Sequence, residues 1–382
     1  MQKKTAANSN GEGDPVSLET DNNKLVEDFG AKSISGIEQI PDFYTFNNGL
    51  IVSHRDFDKF MNKMNSGERS AIVSGFNASS SPHLAHLAVF DTNLMFQQKY
   101  GAEVFIPISD DESYVSGKIK SQAEGLKKSL VIARSMVALG FDTRKTRIII
   151  DQLYTNIYNF AIQLSRSVTL STVKASYGYA SDKNIGMHFY PAVQSAHILL
   201  PNHFGIKNVL VPIGPDEDPH IRICRDIAEL YGYRKPAVIH SRFLPGIDGK
   251  KMSKSKDNAI FLLEDEKIIR KKIMNAFSGG QASIEEHRRI GGNPEVDVPF
   301  IYLRSYFLTP SESSRIEEEY RSGKLLSGEM KNLLVEKTNE RLRVFRHNYS
   351  KTRPEDLKKI MLLNDHTDIE KIMEESGVFE QG

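Results

Sequence analysis

From about residue 71 the chain alternates between short apolar runs and longer stretches of mixed polarity. The runs at 71–73, 103–108, 147–151, 208–212 and 237–240 are rich in Val, Ile and Phe and predict buried strands. Between them, Leu87, Phe90 and Leu94 recur at helical spacing. So do Leu126, Leu130, Ala133 and Val137, followed by Gly140, a residue suited to end a helix. Strands alternating with helices predict an α/β fold with a parallel, doubly wound sheet. After about residue 262 the strand pattern fades. Residues 264–276 and 311–348 carry apolar positions at helical spacing among charges, which predicts a mainly helical C-terminal part. Residues 1–24 are polar and lack an apolar pattern, so a disordered tail is expected there.

Composition narrows the class. The chain has 382 residues, enough for two or three domains and a large core. Lys and Arg number 50 against 49 Asp and Glu, so any nucleic-acid contact must be a local patch. One cysteine, Cys224, excludes an intramolecular disulfide and a Cys-cluster zinc site. No apolar run approaches the roughly 20 residues that span a bilayer. No apolar stretch follows Lys3 and Lys4, so a secretory signal is not expected and the reading is cytoplasmic, with no membrane partner.

Two segments carry candidate chemistry. The first, Ser79 to Leu87, follows the first predicted strand. Ser81 suits an N-cap and Pro82 the first helical position, so a helix is expected to start there with His83 and His86 one turn apart. Such a helix mouth, at the carboxyl end of a strand, suits an anion. The second is the Gly249-led loop with Lys250, Lys251, Met252, Ser253, Lys254, Ser255 and Lys256, which suits a mobile arm carrying ammonium groups to a polyphosphate. A solvated pair of histidines and a solvated basic loop remain the plain alternatives on composition alone.

His83-x-Ala85-His86 followed by Lys251-Met252-Ser253-Lys254-Ser255 resembles the HIGH and KMSKS signatures of class I aminoacyl-tRNA synthetases. The chain is more closely similar to the tryptophanyl-tRNA synthetases of archaeal and eukaryotic type. Ser53–Asp56 resembles their SHRD element, Ser109–Glu112 their (T/S)DDE, Pro191–Gln194 their PAIQ and Asp216–Pro219 their DQDP. Ala276–Gly280, Glu285–Arg288, Gly291–Asn293, Asp297-Val298 and Phe300–Leu303 resemble their C-terminal signature.

The resemblance implies three parts: a tail over 1–24, a Rossmann-like catalytic domain over 25–262 with N-terminal elements and an inserted helical region, and a helical anticodon-binding domain over 263–382. It implies ATP with Mg²⁺, an amino acid (L-tryptophan), tRNA and a homodimer. His83, His86, Lys251 and Lys254 would be catalytic. Ser79, His83, Ala85, His86, Lys251, Met252, Ser253, Lys254 and Ser255 would bind ATP. Val73, Pro107, Glu112, Gln194, Asp216 and Glu217 would line the amino-acid site, with Glu112 and Gln194 near the α-amino group. The run holding Arg341, Arg343 and Arg346, with Phe345 and Tyr349 interleaved, is the expected tRNA contact.

Four positions depart from the family pattern. Ala85 replaces the glycine of HIGH. Val73 and Pro107 stand where the family has the tyrosine and glutamine that bind the indole N–H, and Glu217 replaces the glutamine of DQDP. Either other groups, with Tyr44, Tyr177 and Tyr179 as candidates, recognise the substrate ring, or the amino-acid specificity has changed. A tRNA-binding paralogue without aminoacylation is the further alternative.

Overall fold

The computed structural model describes residues 26–27, 29–252 and 257–379. Its centre is one sheet with nine strands among the described residues. These are β1 (Lys32–Ser33), β2 (Ile51–Arg55), β3 (Ser70–Val73), β4 (Phe76–Asn77), β5 (Glu103–Ser109), β6 (Thr146–Ile150), β7 (Asn208–Ile213), β8 (Ala237–Ser241) and β9 (Met361–Leu362). The order across the sheet is β1-β2-β8-β7-β3-β5-β6-β9, with β4 paired to the end of β5.

All five predicted strands are present, and β3, β5, β6, β7 and β8 run parallel. Their apolar runs are continuous because helices cover both faces of the sheet. The chain starts in the middle at β3, moves out through β5 and β6, then crosses back to β7 and β8. The order therefore reverses between β3 and β7, and the crevice at that reversal is where such sheets bind ligands. The sheet is not parallel throughout. β2 pairs antiparallel with β8, and β1 with β2. β2 is not among the predicted strands, because only Ile51 and Val52 within it are apolar and the polar residues Ser53, His54 and Arg55 complete it.

The helix after β3 spans Leu84–Tyr100, and its N-cap is His83 rather than Ser81. Tertiary pairing explains the later start. Leu84 N donates to Ile260 O at 2.8 Å and Leu262 N to Pro82 O at 3.0 Å, which holds residues 82–84 extended against 260–262. The helix Gln122–Leu139 ends at Gly140, whose φ of +97° is open to glycine at little cost. The helix Ile185–Leu199 covers the face of the sheet that carries Val73, Phe105 and Ile149.

Beyond residue 262 the structure is helical, with Glu266–Met274, Val298–Tyr306, Pro310–Arg321 and Ser327–Lys351 as its longer helices. Apolar side chains of these helices, among them Ile269, Phe300, Leu342 and Phe345, join the same core as Ile72, Phe90 and Ile106. The chain then returns to the sheet, where β9 pairs with β6. No helix among the described residues is long and apolar enough to cross a membrane.

Candidate active site

A cavity of about 590 Å³ opens at the reversal point, beyond the carboxyl ends of β3, β5 and β7. Val73, Pro107, Glu112, Gln194, Glu217, Ser79 and His86 all line it. Residues far apart in the chain thus meet in one place. His83 and Ala85 sit beside the mouth, at the N-cap and in the first turn of Leu84–Tyr100. Asp216 lies with Glu217 in the short 3₁₀ turn Pro215–Glu217 after β7 but is not among the lining residues. Met252 packs on the main core. Ser253, Lys254 and Ser255, and the tail over 1–24, lie outside the described residues.

The two histidines at the helix mouth are close, with ring centroids 3.6 Å apart. The backbone N–H of His83 donates to His86 Nδ1 at 3.1 Å. That bond places the His86 proton on Nε2, as a donor. Burial lowers the His83 imidazole to about 4 and holds His86 well below its usual range. Both are therefore neutral near pH 7 and act as dipolar donors rather than cations. His83 Nδ1 is buried without a hydrogen-bond partner, so the mouth retains unused polar capacity.

One wall of the cavity is densely hydrogen-bonded. Glu112 accepts from Asn77 and from Lys118, whose Nζ lies 2.9 Å from Oε1. Gln194 accepts from the Tyr177 hydroxyl and donates to Glu217 at 3.5 Å. Glu217 also lies 3.0 Å from His220 Nδ1, and the His220 ring stacks on Tyr177 at 3.7 Å. Burial opposes ionisation of Glu217, but hydrogen bonds from His220 and Gln194 hold its carboxyl below the usual range. Tyr177 and Tyr179 line the cavity, as anticipated. Tyr44 does not: its hydroxyl donates to Asp91 at 2.9 Å, outside the lining.

The SHRD residues act from behind this wall. Ser53 bonds to His240 Nδ1 at 3.0 Å, and His240 Nε2 lies 3.1 Å from Asp218. Arg55 grips both oxygens of Asp218, at 2.7 and 2.8 Å. Burial would raise Asp218, but its bonds to His240 and Arg55 hold it at about 2. A buried carboxylate at the start of the helix Asp218–Leu230 is thus fully paired, and it fixes the turn that presents Glu217.

The KMSKS loop is rooted at both ends. Pro245 and Lys251 form an antiparallel bridge, and Asn258 Nδ2 reaches Asp248 at 2.8 Å and Lys251 O at 3.2 Å. The C-terminal signature supports the same root. Phe277 N donates to Ile247 O at 2.7 Å, and Tyr302 OH to Pro245 O at 2.8 Å. Gly249, at φ +77°, has the left-handed backbone that favours glycine, and an added Cβ would meet the Phe277 ring at 3.3 Å. The Lys251 ammonium stands 5.6 Å over the Phe243 ring. Burial and then Glu217 raise Asp216, and Lys251 opposes that rise, which places this ammonium's field on the Glu217 turn.

The arginines expected at tRNA are paired within the chain. Arg341 reaches Asp91 at 2.8 Å, Arg343 reaches Glu266 at 2.9 Å, and Arg346 bonds to Glu264 O. Acidic partners from other segments balance them, and those partners are not visible in the local run of charge. Phe345 is buried in the core, and Tyr349 packs under the Arg134 guanidinium at 4.1 Å. Neither ring is free for base stacking.

Several lining residues carried no motif signal: Asn77, Lys118, Tyr190, His197 and His220. Tyr190 and His197 were within reach of a sequence argument. They flank Gln194 at spacings of four and three, and so share its helix face. Beside them, Asp110, Asp111 and Asp151 bring one carboxylate oxygen each within 4.8 Å of the others. Such a trio can hold a cation, although Gln152, Tyr158 and His197 already bond to it.

Comparison with known proteins agrees with this geometry. The family described as tRNA synthetases class I (W and Y) matches residues 64–343. The tryptophan--tRNA ligase of Saccharolobus solfataricus is 38% identical over 339 residues, covering 85% of this chain and 88% of that one. Tryptophan--tRNA ligase 2 of Halobacterium salinarum is 39% identical over 338 residues, covering 85% and 87%. The crystal structure of tryptophanyl-tRNA synthetase from Aeropyrum pernix K1 superposes with a TM-score of 0.81 at 31% identity, covering 92% of this chain and all of that one. The chain belongs to the class I tRNA synthetases of the W and Y group.

Proposed function

We propose that this chain is a tryptophan--tRNA ligase, which forms tryptophanyl-AMP from ATP and transfers the tryptophanyl group to the 3′ end of tRNA(Trp). The reading is carried by one observation. The helix mouth at His83 and His86 opens on the same cavity as Glu112, Gln194 and Glu217. The relatives' shared name favours tryptophan over another amino acid.

In the first step the amino-acid carboxylate attacks the α-phosphorus of ATP, and the bond to pyrophosphate breaks. The carboxylate is already a nucleophile, so no general base is required, and catalysis is placement plus charge stabilisation. Glu112, braced by Lys118 and Asn77, is the counter-charge for the α-ammonium group. Gln194, held by Tyr177 and Glu217, orients that group. His86 Nε2 and the free N–H groups of the first turn face the phosphates. Ser79 and Ala85 flank the nucleotide. Lys251, Met252, Ser253, Lys254 and Ser255 form the arm that meets the leaving pyrophosphate, with Lys254 the principal donor. Mg²⁺ would ride on the phosphate oxygens and supply counter-charge there.

We assign the helical part over 263–382 to anticodon reading and the enzyme to the cytoplasm as a homodimer. The test is pyrophosphate exchange over a panel of amino acids, repeated with Lys254→Ala. Exchange driven by tryptophan alone is expected, with turnover falling far more than ATP affinity in the variant. Exchange with no amino acid, or with another one only, overturns the reading.

A further inference from the structure

On its sheet side the cavity is floored by Val73 of β3 and Pro107 of β5, and Val211 of β7 and Ile198 also line it. Neither floor residue has a side-chain group that can accept the indole N–H. An N–H buried without an acceptor loses its bond to water and gains none, so a tryptophan site needs an acceptor. Among the cavity's polar lining groups, Ser109 and Tyr190 bond to each other at 2.8 Å. His197 is different. It lines the cavity, and its Nε2 lies 2.6 Å from Asp151 Oδ1, which leaves Nδ1 as the nitrogen open to a ligand.

Position favours it as well. Val73, Phe105 and Ile149 share the sheet face covered by the helix Ile185–Leu199, and strand alternation puts Pro107 and Asp151 on that same face. His197 belongs to the covering helix, bonds to Asp151 and lines the same cavity as Val73 and Pro107. From this geometry we infer that His197 Nδ1 accepts the substrate's ring N–H, and that Asp151 fixes the tautomer that makes it an acceptor. This inference rests on the tryptophan reading above and names the specificity group of the same site.

The protonation pattern supports the assignment. Burial lowers His197 to about 4, so the ring is neutral with one N–H. Burial raises both Asp111 and Asp151, while the bond between them raises Asp111 further and lowers Asp151. Where the Asp151 oxygen 2.6 Å away accepts Nε2–H, Nδ1 carries the lone pair. This is the arrangement by which a carboxylate sets a histidine's tautomer. Tyr158 donates to Asp111 at 3.2 Å and completes the chain.

The experiment compares L-tryptophan with β-(3-benzothienyl)alanine, an analogue of the same shape in which sulfur replaces N–H. Affinities are measured by calorimetry and kcat/KM by pyrophosphate exchange, with thermal unfolding as the check on folding. The unmodified protein is expected to prefer tryptophan by about tenfold or more. His197→Ala is expected to bring the two ligands within about twofold of each other, by weakening tryptophan and leaving the analogue nearly unchanged. His197→Asn retains an oxygen near the Nδ1 position and is expected to recover part of the preference. Asp151→Asn is expected to abolish the preference with the ring still in place. The new amide can donate to Nε2, which moves the imidazole proton to Nδ1. That outcome separates Asp151 as a positioning residue from a merely structural one. Equal binding of both ligands by the unmodified protein overturns the inference and leaves tryptophan activation standing. So does an unchanged ratio in both His197→Ala and Asp151→Asn, or a ratio that collapses in Tyr190→Phe instead. If the unmodified protein activates neither ligand, the tryptophan reading itself has failed.

Discussion

The two ends of the cavity are built on opposite principles. The end lined by Glu112, Gln194 and Glu217 is polar, and each of these groups is held by a second one: Lys118, Tyr177, His220. The end floored by Val73 and Pro107 is apolar, and its shape comes from packing. A charged end must be braced, because a buried carboxylate without partners is unstable. An apolar end needs only volume and one well-placed polar group. The family resemblance holds at the polar end for Glu112 and Gln194, though not for Glu217, and breaks at both floor residues of the apolar end.

The contrast can be broken hardest from behind. Arg55→Ala would leave the fully buried Asp218 with Arg222 as its remaining fixed cation and His240 as a hydrogen-bond partner. A loss of roughly 3–5 kcal/mol in denaturant unfolding is expected, as for a buried ion pair deprived of one partner. A change below 1 kcal/mol would mean that the wall does not depend on this brace. Glu112→Gln tests the wall itself. It keeps the shape and removes the charge facing the α-ammonium group, so kcat/KM for tryptophan in exchange should fall about 100-fold, with little change in Tm. Equal loss of stability and activity would assign Glu112 to structure.

The smallest expected effect concerns the helix mouth. His83 titrates near 4 in the fold and near its ordinary 6.5 in the unfolded chain. Between those values the unfolded chain binds more protons, so this residue makes stability rise with pH from about 4 to 6.5 and adds nothing above about 7. Buried carboxylates such as Asp110, raised to about 6, oppose that slope in the same window. The clean measurement is therefore a difference. Tm of the unmodified protein should fall relative to His83→Asn as pH drops from 6.5 to 4, and parallel curves would show that His83 keeps an ordinary pKa in the fold.

What the sequence disclosed follows the same division. The buried parallel strands were legible because their runs are uniformly apolar, and the motifs at their ends mapped onto one cavity. The N-cap was misplaced because pairing of 82–84 with 260–262 joins segments far apart in sequence. The arginine run read as a free basic surface, since Asp91 and Glu266 lie on other helices. His197 was overlooked because its importance depends on Asp151, which belongs to a different strand end. Local pattern discloses elements, whereas cross-chain partners decide what a charge is for.

The double rooting of the lysine loop sets how far it can reach. Between the fixed points at Lys251 and Asn258 the span is short, and each residue can extend by at most about 3.6 Å. Two anchors this close in sequence cap the distance from the Glu217 turn that any side chain between them can cover. Inserting glycines between the two anchors would lift that cap while leaving both anchors in place.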